Sequence, residues 1–259
     1  MEFLLPGRKA PIIYESCLES TNRSLKEMAR QGAAEGTVLI AGRQTGGRGR
    51  LGRRFASPAG GLYLSMLLLP GCTPEESLSI TPLAAVAVRR AVKACTEAEP
   101  LIKWPNDLLL DGGKLCGILT EQSFDEKGLP RLVLGIGINV NTVGLPAELG
   151  AASIIGSTGR ETDRAALAAR LIGELDGMYA LWRGNRGFFL EEYWAHCSTL
   201  GRELDIIQNG CRRRGRALGI NADFSLKVEY PGGAREDIRF GEVSLREAGK
   251  KPYKSGRTR

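Results

Sequence analysis

Between residues 101 and 141 the chain carries strand-like runs joined by turns too short to hold a helix. The segment LIKWPNDLLLDGGKLCGILTEQ reads as strand, tight turn at Pro105-Asn106, strand, second turn at Asp111-Gly112-Gly113, and a longer strand from Lys114 to Gln122. RLVLGIGINVN at 131–141 is a further strand. Parallel neighbours need crossovers of a dozen or more residues, so these hairpin-like links predict an antiparallel or mixed sheet. Earlier strands are expected at 37–41 (TVLIA) and 62–69 (LYLSMLLL). Helices should flank this sheet. Residues 20–32 read as a helix capped by Ser20 or Thr21 and stopped at Gly32. The stretch Ile80 to Cys95 is amphipathic, with Pro82 tolerable only in its first turn. A long helix starts at the N-cap Asp163 and carries the stripe Leu167, Leu171, Leu175, Met178 and Trp182; a shorter one covers 187–195. After Thr199, five short β-like runs alternate with Asn-Gly, Asn-Ala-Asp and Pro-Gly-Gly turns, which predicts a small β-barrel.

The fold class expected is therefore α/β: a mixed sheet flanked by helices, followed by a small C-terminal barrel. The division is expected as 1–196, 197–247 and a basic, frayed tail over 248–259. At 259 residues either part of this plan buries a core without metal or disulfide staples. The formal charge of +7 is concentrated: KKPYKSGRTR holds five basic residues and no acid, which leaves +2 for residues 1–249. A basic pI thus says little about the folded body, and the tail reads as a solvated end. No run approaches the roughly 18 apolar residues of a membrane span, and the start lacks the n-region and apolar core of a signal peptide. The six cysteines form no C-x-x-C pair, so reduced thiols and a cytoplasmic location are expected. His196 is the one histidine, which argues against His-based triads and His-rich metal sites.

Chemistry should then run on Arg, Lys, Asn, Gln and backbone N–H. GRQTGGRGRLGRR at 42–54 interleaves Gly42, Gly46, Gly47, Gly49 and Gly52 with Arg43, Arg48, Arg50, Arg53 and Arg54. Glycines permit close backbone approach, and guanidinium forks match phosphate and carboxylate, so the loop is an anion cradle. It fits neither the P-loop nor the dinucleotide-binding pattern; taken alone, it fits an RNA-binding RG loop as well. Lys103 ends one strand of the KWPND hairpin and Lys114 opens another. They are expected to face one another across it, as two converging charges or as a pair of solvated lysines.

Taken together, STN at 20–22, GRQTGGRGRLGR, KWPNDLLLDGGKLCGIL and GIGINVN closely resemble the biotin protein ligases, from about Ser20 to Asn141. GRELDI and the ending GEVSLRE are similar to the family's small C-terminal barrel. The resemblance implies a class II aminoacyl-tRNA synthetase-like catalytic domain with an SH3-like barrel behind it. It implies that Ser20, Thr21, Asn22 and Gln44 hold the biotin head, whose ureido ring has one carbonyl and two N–H groups to satisfy. Arg48, Gly49 and Arg50 match the loop that closes over the carboxylate and phosphate, and Lys114 the lysine at the carboxyl group. Lys103 is a second candidate for the phosphate. Phe55 stands where the family often has Trp, and with Asn106 and Asn139 it falls near the adenylate. Arg48, Arg50, Lys114 and Lys103 are the expected catalytic residues.

The same resemblance implies biotin and ATP as substrates, with Mg²⁺ carried by the nucleotide and no protein-held metal. The acceptor would be a lysine on the biotin carboxyl carrier domain of acetyl-CoA carboxylase. Only 19 residues precede Ser20, so no winged helix is expected ahead of it, and no specific DNA binding. No membrane partner is expected, and a homodimer stays open. Two other readings stand beside this one: a lipoate or octanoate ligase of the same fold, and an RNA-binding protein using the RG loop and tail.

Overall fold

The computed structural model describes residue 5, residues 7–145, 150–208 and 211–239, and the backbone of 244–247. The expected tail at 248–259 lies outside the described residues. In chain order the elements are β1 (Ile12–Glu15), α1 (Thr21–Arg30), β2 (Val38–Ala41), β3 (Leu62–Leu68), α2 (Pro74–Ser77), α3 (Ile80–Cys95), β4 (Leu101–Lys103), β5 (Asp107–Leu110), β6 (Gly113–Phe124) and β7 (Pro130–Ile138). There follow α4 (Ile154–Thr158), α5 (Arg164–Gly184), α6 (Leu190–Ala195), β8 (Glu203–Gln208), β9 (Cys211–Ile220), β10 (Leu226–Glu229), β11 (Arg235–Ile238) and β12 (Ser244–Glu247).

β1 to β7 make one seven-stranded sheet in the order β1-β2-β3-β7-β6-β5-β4. Only β1 and β2 run parallel; β2-β3, β3-β7, β7-β6, β6-β5 and β5-β4 are antiparallel, as the short turns require. Strand side chains alternate between faces, so β3 sorts its residues cleanly. Leu62, Leu64, Met66 and Leu68 join the large core under α3 and α5, while Leu67 joins a smaller cluster with Leu25 of α1, Leu39 and Val133. All seven residues of β3 are buried because helices cover both of its faces. The α5 stripe Leu167, Leu171, Leu175, Met178 and Trp182 is buried in the large core, and Asp163 caps the helix by accepting from the N–H of Ala165 and Ala166.

The five late strands form an antiparallel sheet in the order β11-β10-β9-β8-β12. Its inner residues Leu204, Ile206, Ala217, Leu226, Val228 and Ile238 belong to the same apolar cluster as α3 and α5. The seam is specific. Trp104 donates its indole N–H to the Phe224 carbonyl at 2.9 Å and its backbone N–H to Thr199 Oγ1 at 3.0 Å. The Phe224 ring stacks on Phe189 at 4.8 Å, with Tyr193 edge-on at 5.7 Å. Ile102 and Cys197 form a parallel bridge at the expected division near 196–200.

Candidate active site

One face of the large sheet, the face that carries α1, is unusual in being bare at three adjacent points. In the β6-β7 register Gly117 stands opposite Gly137, and Gly135 opposite Leu119. A methyl group added at Gly137 would lie 2.5 Å from Phe55 Cε1, one at Gly117 3.0 Å from Phe55 Cε2, and one at Gly135 2.1 Å from Asn22 Oδ1. Side chains from elsewhere in the chain thus rest directly on strand backbone. A polar group of residues sits at the Gly135 end of this floor and a charged group at the Gly117 end.

The polar end is built by the first turn of α1. Ser20 is its N-cap and accepts from the Arg23 N–H, which turns Thr21 and Asn22 onto the sheet. All three are at least 95 % buried. Gln44, from the loop after β2, accepts the Thr21 N–H at Oε1 (2.8 Å) and donates Nε2 to Ser57 Oγ (2.9 Å). Ser57 in turn donates to the Phe55 carbonyl at 3.1 Å. Ser65 of β3 lies 2.7 Å from Thr21 Oγ1 and 2.6 Å from Asn22 Oδ1. The four residues that the sequence singles out here, Ser20, Thr21, Asn22 and Gln44, are therefore brought together. Hydroxyls and amides of this kind offer donors and acceptors side by side.

The charged end lies on β4, β5 and β6. Lys114 Nζ pairs with Asp107 at 2.7 Å and lies 5.7 Å from the centre of the Phe55 ring. The two lysines do not face one another as expected. Lys103 stands opposite Asp107 in the β4-β5 register, and Lys114 opposite Leu109, because the strands slip between Leu108 and Leu109. Asp107, which sequence reasoning passed over, separates them. Its signal was present: it follows Asn106 in KWPND, one strand away from Lys114.

The arginine-rich loop folds back on itself. The Gly49 N–H donates to the Arg53 carbonyl, the Phe55 N–H to the Gly47 carbonyl, and Arg48 bridges Arg54. Leu51 at its tip is 56 % exposed and adopts φ 57°, a left-handed conformation that costs a bulky residue free energy and marks the loop as locally strained. Arg48 is exposed. Arg50 turns inward and donates to Asn106 Oδ1 at 3.0 Å. Burial lowers the Arg50 guanidinium from its ordinary range; Asp107 opposes that shift and Arg53 adds to it. An anion beside Arg50 would relieve that strain on its charge. Asn106 is itself held by donation to the Ile118 carbonyl at 2.9 Å. A cavity of about 260 Å³ shares Arg50 and Asn106 with this end. Asn139 lies further in, its amide donating to the carbonyls of Ala152 (3.0 Å) and Lys114 (3.3 Å), so it braces the strand that presents Lys114. Cys116 is buried beneath; burial pushes its thiol far up, which removes it as a nucleophile.

Among the described residues no group of three or more His, Cys, Asp or Glu is placed to hold a metal ion, and no helix is long and apolar enough to cross a membrane. The sequence profile of the biotin/lipoate A/B protein ligase family matches residues 14–139, the span that holds every residue named above for the two ends. The biotin–[acetyl-CoA-carboxylase] ligase of Mycobacterium tuberculosis is 36% identical over 231 residues, covering 86% of this chain and 85% of that protein. The bifunctional ligase/repressor BirA of Bacillus subtilis is 32% identical over 240 residues, 89% of this chain and 74% of its own length. Among solved structures, the biotin protein ligase of Aquifex aeolicus in complex with biotin and ATP superposes with a TM-score of 0.81 at 30% identity, covering 92% of this chain and 99% of that one. The glycine floor, the polar and charged ends and these likenesses agree: the chain belongs to the biotin protein ligase family.

Proposed function

We propose that the protein activates biotin with ATP and transfers it to a lysine of a biotin carboxyl carrier domain. The observation that carries this reading is the pairing of two unlike ends on one glycine floor. A ureido ring needs a carbonyl acceptor and two N–H donors satisfied, which suits Ser20, Thr21, Asn22 and Gln44. A carboxylate meeting a nucleotide phosphate brings two anions together, which suits Lys114, Lys103, Arg50 and, once the loop closes, Arg48 and Gly49.

In the first step the biotin carboxylate oxygen attacks the α-phosphorus of ATP, the bond to the bridging oxygen breaks, and pyrophosphate leaves. Lys114 and Arg50 offset the repulsion and stabilise the added charge in the transition state. Asp107 holds Lys114 until substrate anions arrive, and Asn106 holds Arg50. Phe55, seated on Gly117 and Gly137, supplies an aromatic face for the adenine, with Asn106 and Asn139 beside it. Mg²⁺ enters on the phosphates of the nucleotide. In the second step the acceptor amine attacks the carbonyl carbon of biotinyl-5′-AMP, forms the amide, and releases AMP. No protein nucleophile is needed. The loop over the site excludes water and protects the anhydride.

A lipoate or octanoate ligase would share the adenylation logic, but its acyl chain has no ureido group to occupy the polar end. Calorimetry separates the two. Biotin binding without lipoate binding supports this reading; the reverse contradicts it.

A further inference from the structure

We propose that Glu121 is a positioning residue that fixes the Asn22 side chain with its amide oxygen toward the substrate, so that Asn22 reads a ligand N–H. The inference rests on the biotin reading above and adds a polarity to it. A side-chain amide rotated by half a turn fills the same space but exchanges donor for acceptor, so the orientation of Asn22 decides what it can recognise. Its surroundings decide that orientation. Both hydrogens of Nδ2 are taken, one by the Leu119 carbonyl at 3.2 Å and one by Glu121 Oε2 at 2.8 Å. A carbonyl and a carboxylate only accept. The rotated amide would set its oxygen against two acceptors, and a buried mismatch of that kind is costly.

The other carboxylate oxygen of Glu121 is held by Lys26, which stands one turn beyond Asn22 on the same face of α1. Glu121 is thus clamped between two residues of one helix, and its side chain is only 25 % exposed. The Asn22 oxygen that results lies over the bare Cα of Gly135, where a methyl group would come within 2.1 Å of it, and within 2.6 Å of Ser65 Oγ. Ser65 has a single proton and also faces Thr21 Oγ1 at 2.7 Å, so it leaves Asn22 Oδ1 with acceptor capacity to spare. On the glycine floor Asn22 is therefore an acceptor without a competing donor face. Nothing in the sequence alone pairs Glu121 with Asn22; 99 residues separate them.

Steady-state kinetics and calorimetry on Glu121→Ala and Glu121→Gln test this. Glu121→Ala should raise KM and Kd for biotin about tenfold, the usual weight of a hydrogen bond to a charged group, with KM for ATP and kcat unchanged. Glu121→Gln fills the same volume and still offers one acceptor, so it should fall between wild type and Glu121→Ala. A biotin KM within twofold of wild type in Glu121→Ala would overturn the assignment. So would a parallel rise in both KM values, since that is what general loosening of the sheet would produce. A wild-type protein that binds no biotin would overturn the biotin reading itself, a result distinct from either.

Discussion

Lys114 and Cys116 lie two residues apart on β6 and point to opposite faces, one to the charged end of the site and one into the core. Lys114→Ala should slow biotin-dependent pyrophosphate release at least about tenfold, since one preorganised charge is typically worth a few kcal/mol in the transition state. Cys116→Ala removes only a small packed group and should leave the rate near that of wild type. Equal effects of the two would remove Lys114 from the chemistry. Arg50→Gly should act later. With the inward guanidinium gone, adenylate still forms but escapes into water and labels bystander amines; tight retention of the intermediate by Arg50→Gly would contradict that role. Most of these residues were legible in the chain because their type suits the chemistry, with hydroxyl and amide side chains for a ureido ring and arginine and lysine for anions. Asp107, Ser57, Ser65 and Glu121 were not. Each matters through a partner brought to it by the fold, and Asp107 also explains why the two lysines stand apart.

The helices show which local signals suffice. Ile80–Cys95 and the Asp163-capped helix were readable to within a residue or two because cap, apolar period and stop all lie inside the segment. Asp163→Ala should therefore cost about 1 kcal/mol of stability in urea unfolding, through loss of the two N–H contacts at the start of α5. Gly173→Ala, within the same helix and with open space around its Cα, should instead raise stability by up to about 1 kcal/mol. Gly137→Ala should do something different again. Its methyl must displace the Phe55 ring, so KM for ATP should rise several-fold while the unfolding midpoint moves little; an unchanged KM would take Phe55 out of the nucleotide site. β1 was invisible in the sequence. Four residues, IIYE, form a strand only because β2, more than twenty residues on, pairs with them in parallel. The short α2 and α4 helices escaped for the same reason: each is a turn or so long and is fixed by its surroundings. GIGI on β7 was seen as a strand, but its two glycines become a floor only when Phe55 and Asn22 are laid upon them.

The order β1-β2-β3-β7-β6-β5-β4 gathers segments from residues 20, 44, 65, 107, 114 and 137 onto one face, and no local pattern announces that order. The two sheets are also energetically one body at their seam. Trp104→Phe keeps the ring but leaves the Phe224 carbonyl without its donor in a buried place, so it should cost about 1–3 kcal/mol, lowering the denaturant midpoint. A midpoint equal to wild type would mean that the seam contributes little. Apolar continuity across that seam was not legible, because the change of texture after Thr199 suggests separateness and says nothing of packing. What the whole assembly does is tested most directly on an acceptor. The protein, biotin, Mg-ATP and a biotin carboxyl carrier domain are mixed and the carrier is weighed by mass spectrometry. The account predicts a gain of one biotinyl group on the carrier's target lysine, dependent on ATP. A carrier that stays at its starting mass, or that gains a lipoyl group and no biotinyl group when both acids are offered, would contradict it.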